Sequence, residues 1–385
     1  MHIAMVTETY PPEVNGVART VALMADGLRA LGHSIQLVRP KQGEVDTPQQ
    51  AEGYEELLCR GIPIPRYAQL KMGLPAGRAL DAAWRAHRPD LVHVATEGPL
   101  GWSALGVARK LGLPVASDFH TNFHAYSRHY GVAWLSRPIA AVLRRFHNRC
   151  DCTMVPTDEM AEDLARLGFE RLRVVGRGVN AQVFSPDRRR PALRAQWGAD
   201  EHTLVALCVS RFAREKNFPL VIEAYEAMRR ANPATRLVLV GDGPLLAELR
   251  RANTGSVIAG RLVNGELSAH YASADVFLFP SVTETFGNVT LEAMASGLAV
   301  VAYRYAAARQ HLEHGRSAFL AETGDRAGFI AHAERLAREP ALVPALGRAA
   351  RAAAEPISWN RITRDFEAVL LETASLQGAP AHAAA

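Results

Sequence analysis

The chain has 385 residues, 48% hydrophobic and 22% charged, with a formal net charge of +5. That balance excludes a disordered or collagen-like polymer, and the length exceeds one typical core, so two domains are expected. No apolar run reaches the ~18 residues of a spanning helix, and no basic n-region precedes the first strand, so neither a membrane span nor secretion is expected.

The four cysteines, Cys59, Cys150, Cys152 and Cys208, lack disulfide-framework spacing and read as buried thiols. The positive charge suits nucleic acid, anionic lipid or a phosphorylated ligand. Much of it is arginine spread along helices, however, and no nucleic-acid module or basic-aromatic interleaving occurs, so nucleic acid is not an expected partner.

In chain order, an apolar run over His2 to Thr7 leads into a loop with Asn15, Gly16 and Val17. A helix is predicted from Arg19 to Leu31, stopped by Gly32, and then a strand from Ser34 to Arg39, completing a βαβ unit. Residues 41–75 read as irregular, with one short strand. A helix near Pro75 to His87, a strand from Leu91 to Ala95, a helix from Gly101 to Leu111 and a strand from Pro114 to Ser117 follow. Asp118, His120 and Thr121 come next; a lone histidine at a strand end is more often structural than functional. Ile139, Val142, Leu143 and Phe146 form one face of a helix from Arg137 to Arg149, with Arg137, Arg144 and Arg145 opposite. That pattern fits a core-packed helix with a solvated basic face, or one that meets anionic lipid, with Trp134 and Leu135 just ahead of it. A strand from Thr153 to Pro156, a helix from Asp158 to Leu167 and a strand from Arg173 to Gly176 close this half, with a hinge near Asn180 to Arg194.

The second half restarts the same alternation. Strand Leu204 to Val209 precedes Arg211 and Lys216, and a helix runs on to Ala231. Strand Arg236 to Val240 runs into the turn Gly241-Asp242-Gly243-Pro244, a common strand ending. A strand over Val257 to Gly260, a helix over Asn264 to Ser273, the strand Val276 to Phe279, a helix over Asn288 to Ser296 and a strand over Leu298 to Ala302 continue it. A last helix covers Trp359 to Leu376, and residues 377–385 are expected to be disordered. Two βα-repeating halves imply two Rossmann-like domains.

In such sheets ligands bind beyond the carboxyl ends of the strands. The helix after Gly287 presents backbone N–H groups and a positive dipole end there, with Asn288 expected as its N-cap. Glu284 and Glu292 flank that anion site and suit hydroxyl groups on a ligand that also carries phosphate, such as a nucleotide sugar. The plainer reading of the same residues is two solvated glutamates, and of Arg211 and Lys216 two exposed loop cations.

Glu284, Phe286-Gly287-Asn288-Val289 and Glu292-Ala-Met-Ala-Ser-Gly297 together resemble the signature of retaining GT-B glycosyltransferases of group 1, the glycogen-synthase-like and mannosyltransferase-like family. The loop at Gly16 resembles that family's Gly-Gly-Val loop, with Asn15 in place of the first glycine. The resemblance runs from Met1 to about Leu376, is strongest over 257–302, and is greatest to bacterial GDP-mannose-dependent alpha-mannosyltransferases and sulfolipid-synthase-like enzymes.

It implies an α/β GT-B fold, two Rossmann-like domains facing across a cleft. Residues 1–180, with a crossover helix over 359–376, would be the acceptor domain and 181–358 the donor domain. By the same resemblance Arg211 and Lys216 hold the diphosphate, Glu284 the sugar hydroxyls, Glu292 the ribose and His120 the region of the reacting sugar. Gly287 and Asn288 supply backbone donors, while Gly16, Gly243, Phe286 and Val289 line the donor. It further implies a hexosyltransferase without cofactor or metal, taking a nucleotide diphosphate sugar to a lipid or oligosaccharide acceptor. Its expected place is the cytoplasm, with a patch suited to the inner face of the membrane. No Asp-x-Asp occurs to hold a metal as in GT-A enzymes, and no Gly-x-Gly-x-x-Gly follows the first strand as in dehydrogenases. A rival reading is a non-catalytic protein that binds nucleotide sugar or nucleic acid.

Overall fold

The computed structural model describes residues 1–13, 15–43, 45–64, 67–120, 136–252 and 255–376. The described residues divide into two compact units: one over residues 1–120 and 136–177 that resumes at Trp359, and one over Gly178–Ser358. The expected disorder of 377–385 falls outside the described residues.

Unit 1 begins with β1 (His2–Val6), α1 (Gly16–Ala30), β2 (Ser34–Pro40), β3 (Gln50–Ala51), β4 (Tyr54–Cys59), β5 (Gly61–Ile64), β6 (Tyr67–Gly73) and α2 (Gly77–Ala86). It continues through β7 (Leu91–Val94), α3 (Pro99–Lys110), β8 (Val115–Asp118), α4 (Ser136–His147), β9 (Cys152–Val155), α5 (Asp158–Arg166) and β10 (Leu172–Val174). The sheet order is β10-β9-β8-β7-β1-β2-β4-β3. Its strands run parallel except for the short β3 beside β4. Every residue of Ile3-Ala4-Met5-Val6 is fully buried, which is why β1 shows no alternation: helices cover both faces. Ala4, Val6, Val92 and Val94 share one cluster with Leu80, Trp84, Ala104 and Phe146.

The stretch read as irregular, 41–75, instead holds β3, β4 and the β5–β6 hairpin. Consecutive acids in Tyr-Glu-Glu-Leu-Leu-Cys hide β4 from a hydrophobic reading. Glu56 is satisfied by the buried Arg39 at 2.8 Å, which also pairs with Asp46 at 2.7 Å, and Glu55 accepts from Gln36 at 2.6 Å.

Unit 2 contains α6 (Pro191–Gln196), β11 (Val205–Val209), α7 (Phe218–Ala231), β12 (Arg236–Val240), α8 (Leu246–Ala252), β13 (Val257–Gly260), α9 (Asn264–Ser273), β14 (Val276–Phe279), α10 (Asn288–Ala295) and β15 (Ala299–Tyr303). Beyond β15, where the sequence reading assigned nothing before the last helix, come α11 (Ala306–His311), β16 (Ala318–Ala321), α12 (Arg326–Arg338) and α13 (Leu342–Ala354). Gly347 lets α13 approach α10, since a Cβ there would fall 2.1 Å from the Gly297 carbonyl oxygen.

All strand pairs in this sheet are parallel, in the order β13-β12-β11-β14-β15-β16. The chain winds outward one way from β11 and the other way from β14. That places a topological switch point between those two strands, where such sheets take ligands. The last helix, α14 (Trp359–Ser375), belongs to unit 1, packing on α1 and against β7 and β8.

Candidate active site

The loops leaving β11 and β14 meet at the switch point of unit 2. After β11 the chain passes Arg211 and makes a 3-10 turn over Arg214–Lys216. Asn217, with φ 56°, then takes a left-handed conformation before α7. Arg211 Nη2 donates to Glu215 Oε1 at 2.9 Å; Arg211 is partly exposed, while Glu215 is buried. The Val282 N–H donates to the Glu215 carbonyl at 3.1 Å, tying the two loops together. Across that tie, Lys216 Nζ and Glu284 Oε1 form an ion pair.

The β14 loop ends at Gly287, with φ 88° and ψ 60°, which occupies the N-cap of α10. Asn288 is therefore the first helical residue and not the expected cap. No side chain caps α10 among the described residues, so its first turn faces the switch point with backbone donors. The start of α11 braces this arrangement: the Tyr305 hydroxyl donates to the Glu284 carbonyl and the Ala307 N–H to the Phe286 carbonyl, each at 2.9 Å. Phe286 is buried edge-on against His311, whose imidazole burial pushes down to about 4. The buried atoms Ser281 Oγ and Thr283 Oγ1 of this loop, and Asn288 Oδ1 at the start of α10, have no hydrogen-bond partner among the described residues.

Glu292 lies in the second turn of α10, 7% exposed, and its Oε2 accepts from the Tyr271 hydroxyl at 3.1 Å. The Val289 carbonyl lies 3.5 Å from the same hydroxyl. Gly243 is explained by backbone proximity, because a Cβ there would fall 2.6 Å from the Phe212 carbonyl oxygen, in the loop that carries Arg211.

In unit 1, β1 and β7 flank the corresponding switch point. Asn15 caps α1 by accepting from the Ala18 N–H at 2.8 Å, and it donates to Thr9 Oγ1 at 2.7 Å. Asparagine in the first-glycine position thus has a capping task, and Gly16 opens the helix. Glu8 lies beside Gly98, where a Cβ would fall 2.1 Å from its carboxylate, and it accepts from the Leu100 N–H at 2.9 Å. Burial, with Glu97 nearby, pushes the Glu8 carboxyl up to about 7.

His120 is packed inward. Arg177 Nη2 lies 3.3 Å from its Nδ1, and Asp118 Oδ2 lies 3.3 Å from its Nε2. A guanidinium can only donate, so Nδ1 accepts and the proton of the neutral ring sits on Nε2, close to Asp118 but without a formed hydrogen bond to it. Burial lowers the His120 pKa despite that carboxylate. Burial would raise Asp118, but His120 and His93 offset it and hold the carboxyl well below its usual range. Thr121, Trp134 and Leu135 lie outside the described residues.

The structure thus brings Lys216, Glu284, Phe286, Gly287 and Asn288 together, with Arg211 and Gly243 on adjoining loops and Glu292 one turn along α10. Sequence reasoning missed Glu215, Tyr271, Tyr305 and Arg177; only the four-residue spacing of Arg211 and Glu215 was a local signal.

Among the described residues no group of histidine, cysteine or carboxylate side chains could hold a metal ion, and no helix is long and apolar enough to cross a membrane.

Residues 14–183 match the model of Glycosyltransferase Family 4, and residues 203–339 that of Glycosyl transferases group 1. A GDP-mannose-dependent alpha-mannosyltransferase of Mycobacterium tuberculosis is 33% identical over 84% of this chain and 85% of its own length. Sulfoquinovosyl transferase SQD2 of Arabidopsis thaliana is 30% identical over 87% of this chain, which spans 66% of that protein's length. Alpha-monoglucosyldiacylglycerol synthase of Acholeplasma laidlawii is 26% identical over 97% of both. Among solved structures, sucrose-phosphate synthase from Thermosynechococcus elongatus superposes with a TM-score of 0.78 at 19% identity, covering 97% of this chain and 99% of that one, which shows the fold. With its doubly wound α/β units and these matches, the chain belongs to the group 1 glycosyltransferases, enzymes of GT-B fold.

Proposed function

We propose that this glycosyltransferase moves a hexose, with retention of configuration, from a nucleotide diphosphate sugar of the GDP-mannose or UDP-glucose type to a lipid or oligosaccharide acceptor. The observation that carries the donor half is the meeting of Lys216, Glu284 and the uncapped α10 at one switch point. Anion-binding groups and a hydroxyl-binding carboxylate side by side are what a sugar diphosphate requires. In this reading Arg211 and Lys216 neutralise the diphosphate as charge builds on it, and the Gly287 and Asn288 backbone donates to it. Glu284 holds sugar hydroxyls, Glu292 the ribose, and Phe286, Val289 and Gly243 line the donor. In the same reading Gly16 lines the donor and His120 serves the region of the reacting sugar. His120 contributes there as a neutral ring held through its Nδ1 by Arg177. No metal takes part. The leaving phosphate departs from the face the acceptor attacks and takes the acceptor's proton.

Two relatives support the choice of partners by name: one is GDP-mannose-dependent, the other makes a glucosyldiacylglycerol. Release of free nucleotide diphosphate from GDP-mannose and from UDP-glucose, each with and without diacylglycerol, tests the reading. Transfer-linked release from neither donor overturns it.

The membrane half of the proposal rests on α4. Leu143 and Phe146 face inward as expected, but Val142 is 54% exposed, correcting its assignment to the buried face. An exposed valine beside exposed Arg144 and Arg145 supports a helix that lies on an anionic surface, from the cytoplasmic side.

A further inference from the structure

We propose that Tyr271 is a positioning residue for the donor: its hydroxyl fixes the Glu292 carboxylate in the orientation that receives the ribose. This rests on the ribose reading of Glu292. Tyr271 is fully buried in α9, between Phe277 and Phe184 with ring centroids 5.9 and 5.6 Å away. A phenol packed so tightly has one direction for its hydroxyl, which points at Glu292 Oε2 3.1 Å away. The hydroxyl has one proton to donate, and the carboxylate takes it in preference to the more distant Val289 carbonyl at 3.5 Å.

A glutamate has three side-chain torsions, and in the second turn of α10 several rotamers compete. The tyrosine bond selects one of them without consuming the carboxylate, since a carboxylate accepts about four hydrogen bonds. Core packing accounts for the aromatic ring but not for a hydroxyl aimed at a carboxylate. Phenylalanine would fill the same space without placing a polar atom in the interior.

The test is calorimetric titration of wild type, Tyr271→Phe, Glu292→Gln and the double variant. The probes are GDP and UDP, each in its ribose, 2′-deoxy and 3′-deoxy forms. Wild type should prefer a ribose form. Tyr271→Phe should lose about three- to tenfold in affinity for that form, the scale of one mispositioned charged hydrogen bond, and little for a deoxy form. In the Glu292→Gln background, where the amide oxygen still accepts from the phenol but carries no charge, the tyrosine change should cost less than in wild type. Tyr271→Phe that keeps the full ribose preference overturns the proposal. So does equal loss on every nucleotide together with a lower melting temperature, which marks a packing role. A wild type without ribose preference removes the ribose reading of Glu292, and the proposal falls with it.

Discussion

Lys216 and Glu284 are ion-paired across the two loops of the unit 2 switch point, each side chain about 15% exposed. A sugar diphosphate that uses both must enter between charges already neutralising one another, so the binding-competent charges are preorganised and mutually restrained. Arg211→Ala and Lys216→Ala should each lower turnover by roughly 100- to 1,000-fold, the usual loss for a preorganised charge stabiliser. Both lie outside the sheet and the long helices, so chemical denaturation should show both variants folded, with Arg211→Ala the less stable because it removes a partner of the buried Glu215. Near-native turnover in either variant removes the diphosphate assignment.

Metal chelation gives a second check. If cationic side chains and a helix N-terminus neutralise the leaving group, activity should persist in excess EDTA. Complete loss that Mg²⁺ or Mn²⁺ restores contradicts the proposed chemistry.

The basic face of α4 predicts salt-sensitive binding to anionic vesicles. Each cation near such a surface contributes ~1 kcal/mol. Arg144→Glu with Arg145→Glu should abolish co-sedimentation with anionic liposomes and leave nucleotide binding unchanged. Wild-type protein that ignores those liposomes at low salt leaves a soluble sugar as the better acceptor.

Gly27 in α1 faces Thr363 in α14, and a Cβ there would sit 2.5 Å from the threonine Oγ1. Glycine to alanine inside a helix ordinarily stabilises by up to ~1 kcal/mol. Here overpacking against a buried, β-branched side chain reverses the sign, and Gly27→Ala should destabilise by about 1–3 kcal/mol. Thr363→Ala in the same background should recover part of the loss. Denaturant melts showing Gly27→Ala as stable as wild type contradict that packing.

Two buried groups of unit 1 give opposite pH dependences. Burial pushes His147 down to about 3, against ~6.5 in an unfolded chain. Its contribution is intact above about 6.5 and is lost as pH falls toward 3, because the unfolded chain binds the proton that the fold excludes. Glu8 is raised from 4.5 to about 7. Its contribution is intact below about 4.5 and is lost as pH rises through 7. Between pH 4.5 and 6.5, the stability of Glu8→Gln relative to wild type should rise with pH, and that of His147→Asn should fall. The slopes should approach ~1.4 kcal/mol per pH unit at most. Flat differences across that window contradict both assignments.

The parallel strands of unit 2 were legible because burial on both faces writes them as continuous apolar runs, as in Val276-Phe277-Leu278-Phe279. The loop from Glu284 to Glu292 was legible because its chemistry is local: a strand end, a glycine and a helix start. What stayed hidden depends on partners distant in sequence. Nothing near Glu56 announces Arg39, and nothing near Glu292 announces Tyr271. Asn288 looked like a cap because asparagine favours that position, but Gly287 adopts the left-handed geometry at the boundary more cheaply. Val142 lies at the edge of a helical stripe, where periodicity alone does not separate inside from outside.

Because α14 completes a unit that began at Met1, the chain must make all of Gly178–Ser358 before the earlier unit acquires its last helix. During synthesis, unit 2 therefore emerges whole while the part made first still waits, with Gly27 of α1, which faces Thr363, and His93 of β7, which meets Phe366, uncovered. A stop codon just ahead of Trp359 would then injure the half translated first and leave the half translated last structurally complete.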